Sequence, residues 1–220
     1  MNMRDLILSK RLAGASGGSA TVKNQHKTIT ENGVYKADEG YTGLGTVTVQ
    51  VAASGGANKL AQFVEGSMTE ITADDLRGAT KIGNFAVQNR QQVVSIVIPN
   101  TVQTIGEYAF SQARNLSNVV FEEGSQLKTI EGNAFYYVTN GFASIILPQT
   151  LESIGARAFE YCMNLKSVVM KSTTPPTIQA NTFNNVPSDC VFTVPYGSGE
   201  AYRTATNWSA RADYIVEGDV

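Results

Sequence analysis

The chain has 220 residues, of which 42% are hydrophobic and 16% charged, and its formal net charge at pH 7 is −2. This length is enough for one sizeable core and a small appendage. The weak negative charge argues against nucleic acid and anionic membranes as partners, because both attract clustered Lys and Arg, and no basic run exceeds Lys10-Arg11.

The N-terminal 27 residues are predicted to form an arm. Its short apolar stretch contains Leu6, Ile7, Leu8 and Leu12, and a Gly/Ser-rich linker follows at 14–20. No apolar run in the chain reaches the length of a signal-peptide core or of a membrane-spanning helix. We therefore expect a protein that is made and folded in a cytoplasm and does not insert into a membrane.

Residues 28–51 are predicted to form a small β module. The Asn32-Gly33 turn between residues 28–30 and 34–36 indicates a β-hairpin. A strictly alternating stretch then places Val47, Val49 and Val51 on one face. Because a module of this size cannot bury a stable core alone, it should pack against another chain, copies of itself or the rest of this chain. A second Gly/Ser-rich linker follows at 52–58.

One phrase returns five times in the next part of the chain. Its isoleucines are separated by 23, 25, 24 and 24 residues, and they are Ile82, Ile105, Ile130, Ile154 and Ile178. A fixed period of this size predicts a solenoid of stacked coils. A strand is predicted after each phrase, at 96–98, 119–121, 145–147, 168–170 and 192–194, with one extra residue before the third. The first and last residue of each strand should point inward.

Caps are predicted at both ends of the solenoid. Residues 59–78 would open the stack, with a capping-box pattern at 72–75 that starts a short helix through Leu76. At the other end, residues 196–220 would close it. Ser198 is expected to N-cap a short helix that reaches Thr206, and Trp208 is expected to seal the last coil.

The repeat unit L-x-x-I-G-x-x-A-F, followed by C-x-x-L and a strand that ends in Pro, resembles the BspA-type leucine-rich repeat. Residues 158–165 match it best, and the likeness extends over about residues 60–217. It implies a solenoid of about five repeats, mainly β with short helical and loop segments. The role it implies is that of a bacterial cell-surface adhesin.

A second resemblance lies in the N-terminal part. Residues 29–35 and 45–51 are similar to small β modules of bacteriophage and prophage structural proteins. This likeness implies a virion protein of the tail, fibre or head decoration. Its residues 1–51 would anchor it to other virion proteins, with Leu6, Ile7, Leu8, Leu12, Val47, Val49 and Val51 as contacts.

The sequence offers no convergent catalytic group. The single histidine, His26, lies in a polar stretch beside the first linker, and Cys162 and Cys190 have no further ligands at metal-binding spacing. Gly40–Gly45 lacks the Lys-Ser/Thr ending of a phosphate-binding loop. We expect no enzyme activity, no cofactor and no metal, and two cysteines buried as small apolar groups.

The outward side of the predicted sheet is the candidate interaction face. Its central column reads Val97, Val120, Ile146, Val169 and Thr193, beside the small polar residues Ser95, Asn118, Ser144 and Ser167. An apolar column with a polar rim is typical of a protein contact face, although Val and Ile also favour strands where nothing binds. The column has no aromatic residue of the kind that glycan-binding faces use, and Tyr108, Tyr136, Tyr137 and Tyr161 cluster elsewhere, near the Phe positions.

The two resemblances lead to different functions. The main hypothesis is a non-enzymatic virion protein, a homo-oligomer such as a trimer, that displays the solenoid to a host-surface protein or glycan. The alternative is a bacterial cell-surface adhesin, and an intracellular scaffold is a third interpretation. The domain division predicted for all three is 1–27, 28–51, 52–58, 59–195 and 196–220.

Overall fold

Two strands in each repeat form the two walls of a flattened coil. The computed structural model describes residues 33–35, 46–51, 59–65, 69–73, 76 and 78–220, and for the first three segments only the backbone. Its strands are β1 Gly33–Tyr35, β2 Thr46–Val51, β3 Lys59–Glu65, β4 Glu70–Ile71, β5 Lys81–Ile82, β6 Ser95–Ile98, β7 Thr104–Ile105, β8 Asn118–Phe121, β9 Thr129–Ile130, β10 Ser144–Leu147, β11 Ser153–Ile154, β12 Ser167–Met170, β13 Val191–Pro195 and β14 Ile215–Gly218. A short helix, α1 (Gly199–Thr204), and a 3-10 helix at Ser209–Tyr214 precede β14.

The stacked coils confirm the predicted solenoid. One wall, which contains the four- and five-residue strands of the repeats, consists of parallel strands in the orders β4-β6-β8 and β10-β12-β13-β14. The short strands β5, β7, β9 and β11 form the opposite wall, also in parallel. The isoleucines that begin each phrase are at most 5% exposed and lie between the walls. The periodic apolar residues therefore form one continuous core.

The predicted inward residues of the long strands are buried, with one exception. Ile96 and Ile98, for example, are 0% exposed, whereas Phe121 is partly buried against the same core. The small alanines of the phrase, Ala86, Ala109, Ala134 and Ala158, are 0% exposed, as expected where the two walls approach each other. In the fifth phrase Thr182 replaces alanine, and its hydroxyl donates to the Gly155 carbonyl oxygen at 3.0 Å.

A column of phenylalanine rings runs along the core. Phe110, Phe135, Phe159 and Phe183 lie on successive coils, with neighbouring ring centroids 5.0 to 5.2 Å apart. Trp208 closes the column, as predicted: its side chain is fully buried, and its Nε1 donates to the Pro176 carbonyl oxygen at 2.8 Å. Each ring covers the next, so the last one needs the tryptophan to exclude water.

Four coils reverse direction through two residues in the left-handed region of φ, and the fifth through one, Asn185. One set comprises Phe85, Tyr108, Asn133 and Arg157, and the other comprises Asn89, Gln112, Tyr137, Tyr161 and Asn185, all with φ between 54° and 63°. Between these residues, alternate N–H groups bond to the next coil, as in Tyr108 N to Gly132 O (3.2 Å) and Phe110 N to Ala134 O (2.7 Å). The turns thus satisfy their buried backbone groups from coil to coil.

The N-terminal strands continue the short-strand wall. β1 and β2 pair in antiparallel fashion, β2 and β3 do the same, and β3 pairs in parallel with β5. This agrees with one of the three arrangements expected for the small module, in which it packs against the rest of its own chain. The first half of the predicted hairpin, residues 28–30, lies outside the described residues, as do both linkers. So do Asp74 and Asp75 of the predicted capping box.

The long-strand wall has one gap in its hydrogen bonding. No pairing joins β8 to β10, although both strands pair fully with their other neighbours, β6 and β12. At the equivalent place in other coils, the Glu122 N–H donates to Ile98 O and the Lys171 N–H to Leu147 O, each at 3.0 Å. Pro148 occupies this place in the third coil and has no N–H. Pro195 occupies it in the fifth coil, where β12 and β13 still pair, so the proline alone does not account for the gap. The extra residue of this repeat accompanies the gap.

The C-terminal helix differs from the prediction in two respects. It ends at Thr204 instead of Thr206, and the Ser198 side chain does not cap it. The Ser198 hydroxyl donates back to the Pro195 carbonyl oxygen. Glu217 takes over the capping, because its carboxylate accepts hydrogen bonds from Gly199 N at 2.7 Å and Gly197 N at 3.2 Å.

Candidate functional site

The outward side of the long-strand wall carries one column of mainly apolar side chains. Val97 pairs with Val120, Ile146 with Val169, and Val169 with Thr193, so these side chains lie in register. Side chains alternate between the two sides of a strand, and the residues directly before and after these in sequence point into the core, so these side chains point outward. Thr193 in turn pairs with Val216 of β14. We name this column the strand face: Val97, Val120, Ile146, Val169, Thr193 and Val216.

The exposure of these side chains agrees with the predicted outward orientation. Ile146 is 53% exposed, Val216 43% and Val120 42%, while Val97, Val169 and Thr193 are half-buried. Val216 is absent from the predicted face. The signal for it was present, since Val216 lies one repeat period after Thr193 and follows the buried Ile215. That the face binds a partner remains a prediction.

The column beside the strand face is polar at one end and apolar at the other. It contains the predicted Ser95, Asn118, Ser144 and Ser167 in register, followed by Val191. Val191 is 36% exposed, and Tyr214, just before β14, is 38% exposed. From β6 to β14 neither column contains a charged residue. These two columns are therefore uncharged, with their largest apolar groups in the middle and at the C-terminal end, while Glu122 and Lys171 follow β8 and β12 on the other side of the strand face.

A second surface, at the turns of the coils, contains aromatic side chains. The rings of Tyr136, Tyr137 and Tyr161 contact one another with centroids 5.4 to 5.9 Å apart, and all three are half-buried. The Arg114 guanidinium lies 5.3 Å from the centre of the Tyr137 ring. We name these four residues the aromatic edge. Sequence analysis predicted a cluster of four tyrosines, of which Tyr108 instead stacks on Phe85 with ring centroids 5.4 Å apart. It did not predict the arginine, which comes from the preceding coil.

The two cysteines are unreactive thiols in the core. Both are buried and unpaired, as expected. Burial raises the pKa of Cys162 and raises that of Cys190 to about 11, so neither forms a thiolate near neutral pH. The described residues contain no group of three or more His, Cys, Asp or Glu side chains that could hold a metal ion.

The predicted anchoring contacts cannot be placed. Leu6, Ile7, Leu8 and Leu12 lie outside the described residues, and so does His26. Val47, Val49 and Val51 lie in β2, where the structure describes the backbone only. Anchoring through these residues stays a prediction.

The repeat matches a known protein family. The model for the BspA type leucine rich repeat region finds six copies between residues 61 and 193, which is more than half of the chain. The chain belongs to this family. The match begins well before Ala79, so this BspA-type protein has one more repeat than the five expected from its sequence. The additional copy falls in the predicted opening cap, where β3 and β4 pair with β5 and β6 like the strands of a coil.

Two solved structures have a similar fold. A leucine-rich repeat protein of T. pallidum is 19% identical, with a TM-score of 0.57 and 68% of each chain covered. The pneumococcal vaccine antigen PcpA is 18% identical, with a TM-score of 0.52; the likeness covers 77% of this chain and about half (51%) of the antigen. No match was found among curated proteins. Within the described residues, no helix is both long and apolar enough to span a membrane.

Proposed function

We propose that this BspA-type protein is a non-enzymatic binding protein of a bacterial surface, of the adhesin class, and that its strand face contacts a protein partner. The observation that carries the proposal is the exposure of Val120 and Ile146, which lie at the centre of two uncharged columns. Large apolar groups in the middle of a patch, with few charges around them, distinguish interface centres from ordinary surface.

The comparisons support the surface role over the virion role. The family is the one for which the sequence suggested an adhesin, and one structural relative is a vaccine antigen. Leucine-rich repeat solenoids typically act as binding scaffolds. Neither the family match nor the two relatives points to a phage particle, so the adhesin interpretation replaces the virion protein as our leading hypothesis.

The dimensions of the strand face predict weak binding by a single copy. Six strands at the spacing of a parallel sheet give a surface roughly 24 Å long and about 10 Å wide. The resulting area of about 240 Å² is well below the ~800 Å² per partner that stable complexes bury. We therefore expect rapid dissociation of single molecules and firm attachment only where many copies engage together.

Two substitutions test the strand face. Val120→Lys with Ile146→Lys places two charges at its centre, where they would be desolvated on binding, and should abolish binding to extracellular-matrix and serum proteins that the wild type captures in surface plasmon resonance. Met163→Lys is a matched control, because Met163 is 54% exposed but lies at a turn outside the face. Equal binding by both variants and the wild type would exclude the strand face, and a wild type that captures none of these proteins would contradict the function itself.

A further inference from the structure

Only some of the residues at the left-handed turn positions are of the type that the backbone favours. Asparagine adopts positive φ readily and occupies Asn89, Asn133 and Asn185, whereas large aromatic residues seldom do. Yet Tyr137 and Tyr161 hold φ values of 63° and 59° on adjacent coils. Phe85 and Tyr108 do the same at the other turn position, where, among the described residues, their rings stack only on each other. Tyr137 and Tyr161 differ because they contact a third tyrosine and, through Tyr137, Arg114. Backbone strain at bulky residues is found at ligand sites, and here it coincides with such a cluster.

The three tyrosines of the aromatic edge also place unused hydrogen-bonding groups at the surface. The hydroxyls of Tyr136, Tyr137 and Tyr161 form no hydrogen bond with the described residues and are not buried among them. By contrast, Tyr202 in the core donates its hydroxyl to the Ser172 carbonyl oxygen at 2.8 Å. The three rings therefore combine an apolar body with a free polar tip, the combination that suits a partly polar ligand.

One planar charged group lies against the rings. The Arg114 guanidinium packs over Tyr137, 5.3 Å from the ring centre. A guanidinium can donate to two neighbouring hydroxyls of one ligand. The arrangement thus offers three aromatic rings with a bidentate donor beside them.

We propose that the aromatic edge is a carbohydrate-binding site, separate from the strand face. One side of a pyranose ring presents C–H groups that pack on an aromatic ring, while its hydroxyls require donors and acceptors such as the Arg114 guanidinium and the tyrosine hydroxyls. A cationic ligand fits less well, because rings with centroids 5.4 to 5.9 Å apart leave no space for a cation between them. A protein contact is also less suited, since hot spots lie within water-excluding surroundings instead of charged ones.

The proposal is tested with the full-length chain on an array of bacterial and host glycans. We expect a defined set of glycans to bind, and the strongest, titrated in solution by calorimetry, to lose at least tenfold in affinity in the Tyr137→Asn/Tyr161→Asn variant. Asparagine tolerates the left-handed backbone, so the variant should stay folded. Arg114→Ala, which leaves all three rings in place, should weaken binding several-fold.

Phe85→Asn is the matched control. It makes the same kind of replacement at a left-handed position, φ 61°, in another coil and outside the aromatic edge. Glycan affinity should be unchanged in this variant and in the Val120→Lys/Ile146→Lys variant of the strand face. The absence of any glycan binding by the wild type overturns the site, as does a loss of affinity in Phe85→Asn equal to that in the tyrosine variant. Neither result bears on the strand face, which is tested with protein ligands.

Discussion

Close contact between successive coils depends on individual glycines. A Cβ atom on Gly155 would lie 2.5 Å from Gly132 N, and one on Gly106 would lie 2.5 Å from the Asn84 Oδ1 and 2.7 Å from its backbone nitrogen. The third repeat has Glu131 at this place. Its carboxylate accepts a hydrogen bond from Glu107 N at 3.0 Å and pairs with Lys81 at 2.8 Å. This departure from the repeat pattern therefore carries its own contacts across two coils.

Gly155→Ala should destabilise the protein by about 1–3 kcal/mol, the usual cost of forcing an extra methyl group into a packed interior. The atoms in its way belong to the backbone of the preceding coil and cannot rotate aside. Urea denaturation measures the change. Gly132→Ala is the control, because its Cβ would meet only Ala156 O at 3.4 Å. An equal loss of stability in both variants would show that close packing is not the cause.

At the scale of single elements, the C-terminal cap depends on a contact between β14 and α1. Glu217 bonds the N–H groups of Gly197 and Gly199. These hydrogen bonds, helped by Arg203, lower the pKa of the Glu217 carboxyl from its ordinary value of 4.5. A lowered pKa in the folded state means that the carboxylate stabilises the fold above pH 4.5, and that this contribution disappears as pH falls through the lowered value.

Glu217→Gln should therefore reduce stability at pH 7 and lose its effect in acid. The neutral amide cannot replace a charge-assisted acceptor, but below the folded-state pKa the wild-type side chain is also neutral. Denaturation midpoints at several pH values between 7 and 2.5 measure the difference between the two proteins. Glu123→Gln, in an exposed turn, is the control. A difference that does not change with pH would contradict this role of the carboxylate.

The elements of the solenoid were predictable from the sequence, whereas this cap was not. Each predicted strand is fixed by local alternation and by contact with its equivalent one period away, so the repeat spacing contains the information. The Glu217 contact joins segments without any repeating pattern, and Ser198 is a reasonable N-cap by residue type alone. The strand face follows the repeat spacing, so it was predicted except for Val216. The position of Arg114 over Tyr137 follows no repeating pattern, so it was not predicted.

Over the whole molecule, the coils are not joined with equal strength. Stability in a stack is close to a sum of coil stabilities and nearest-neighbour contacts. Between the second and third coils, the short-strand wall, the turn hydrogen bonds and the Phe110–Phe135 stacking persist. The long-strand wall loses its pairing there, between β8 and β10. This gap lies directly beneath Val120 and Ile146, so the centre of the strand face is also the place where its backbone is least constrained.

Hydrogen exchange should detect this gap. Backbone amides without a strand partner open to solvent more easily, and alternate N–H groups of a parallel strand point to opposite neighbours. We therefore expect Asn118–Phe121 and Ser144–Leu147, which each lack a partner on one side, to exchange faster than Ser167–Met170, which is paired on both sides. Mass spectrometry of peptides that cover the three strands measures the rates under identical conditions. The strands have similar length and similarly buried inward residues, which makes Ser167–Met170 the control for the other two. Equal protection of all three would mean that a continuous ladder crosses the third coil, and the strand face would then be a single rigid surface.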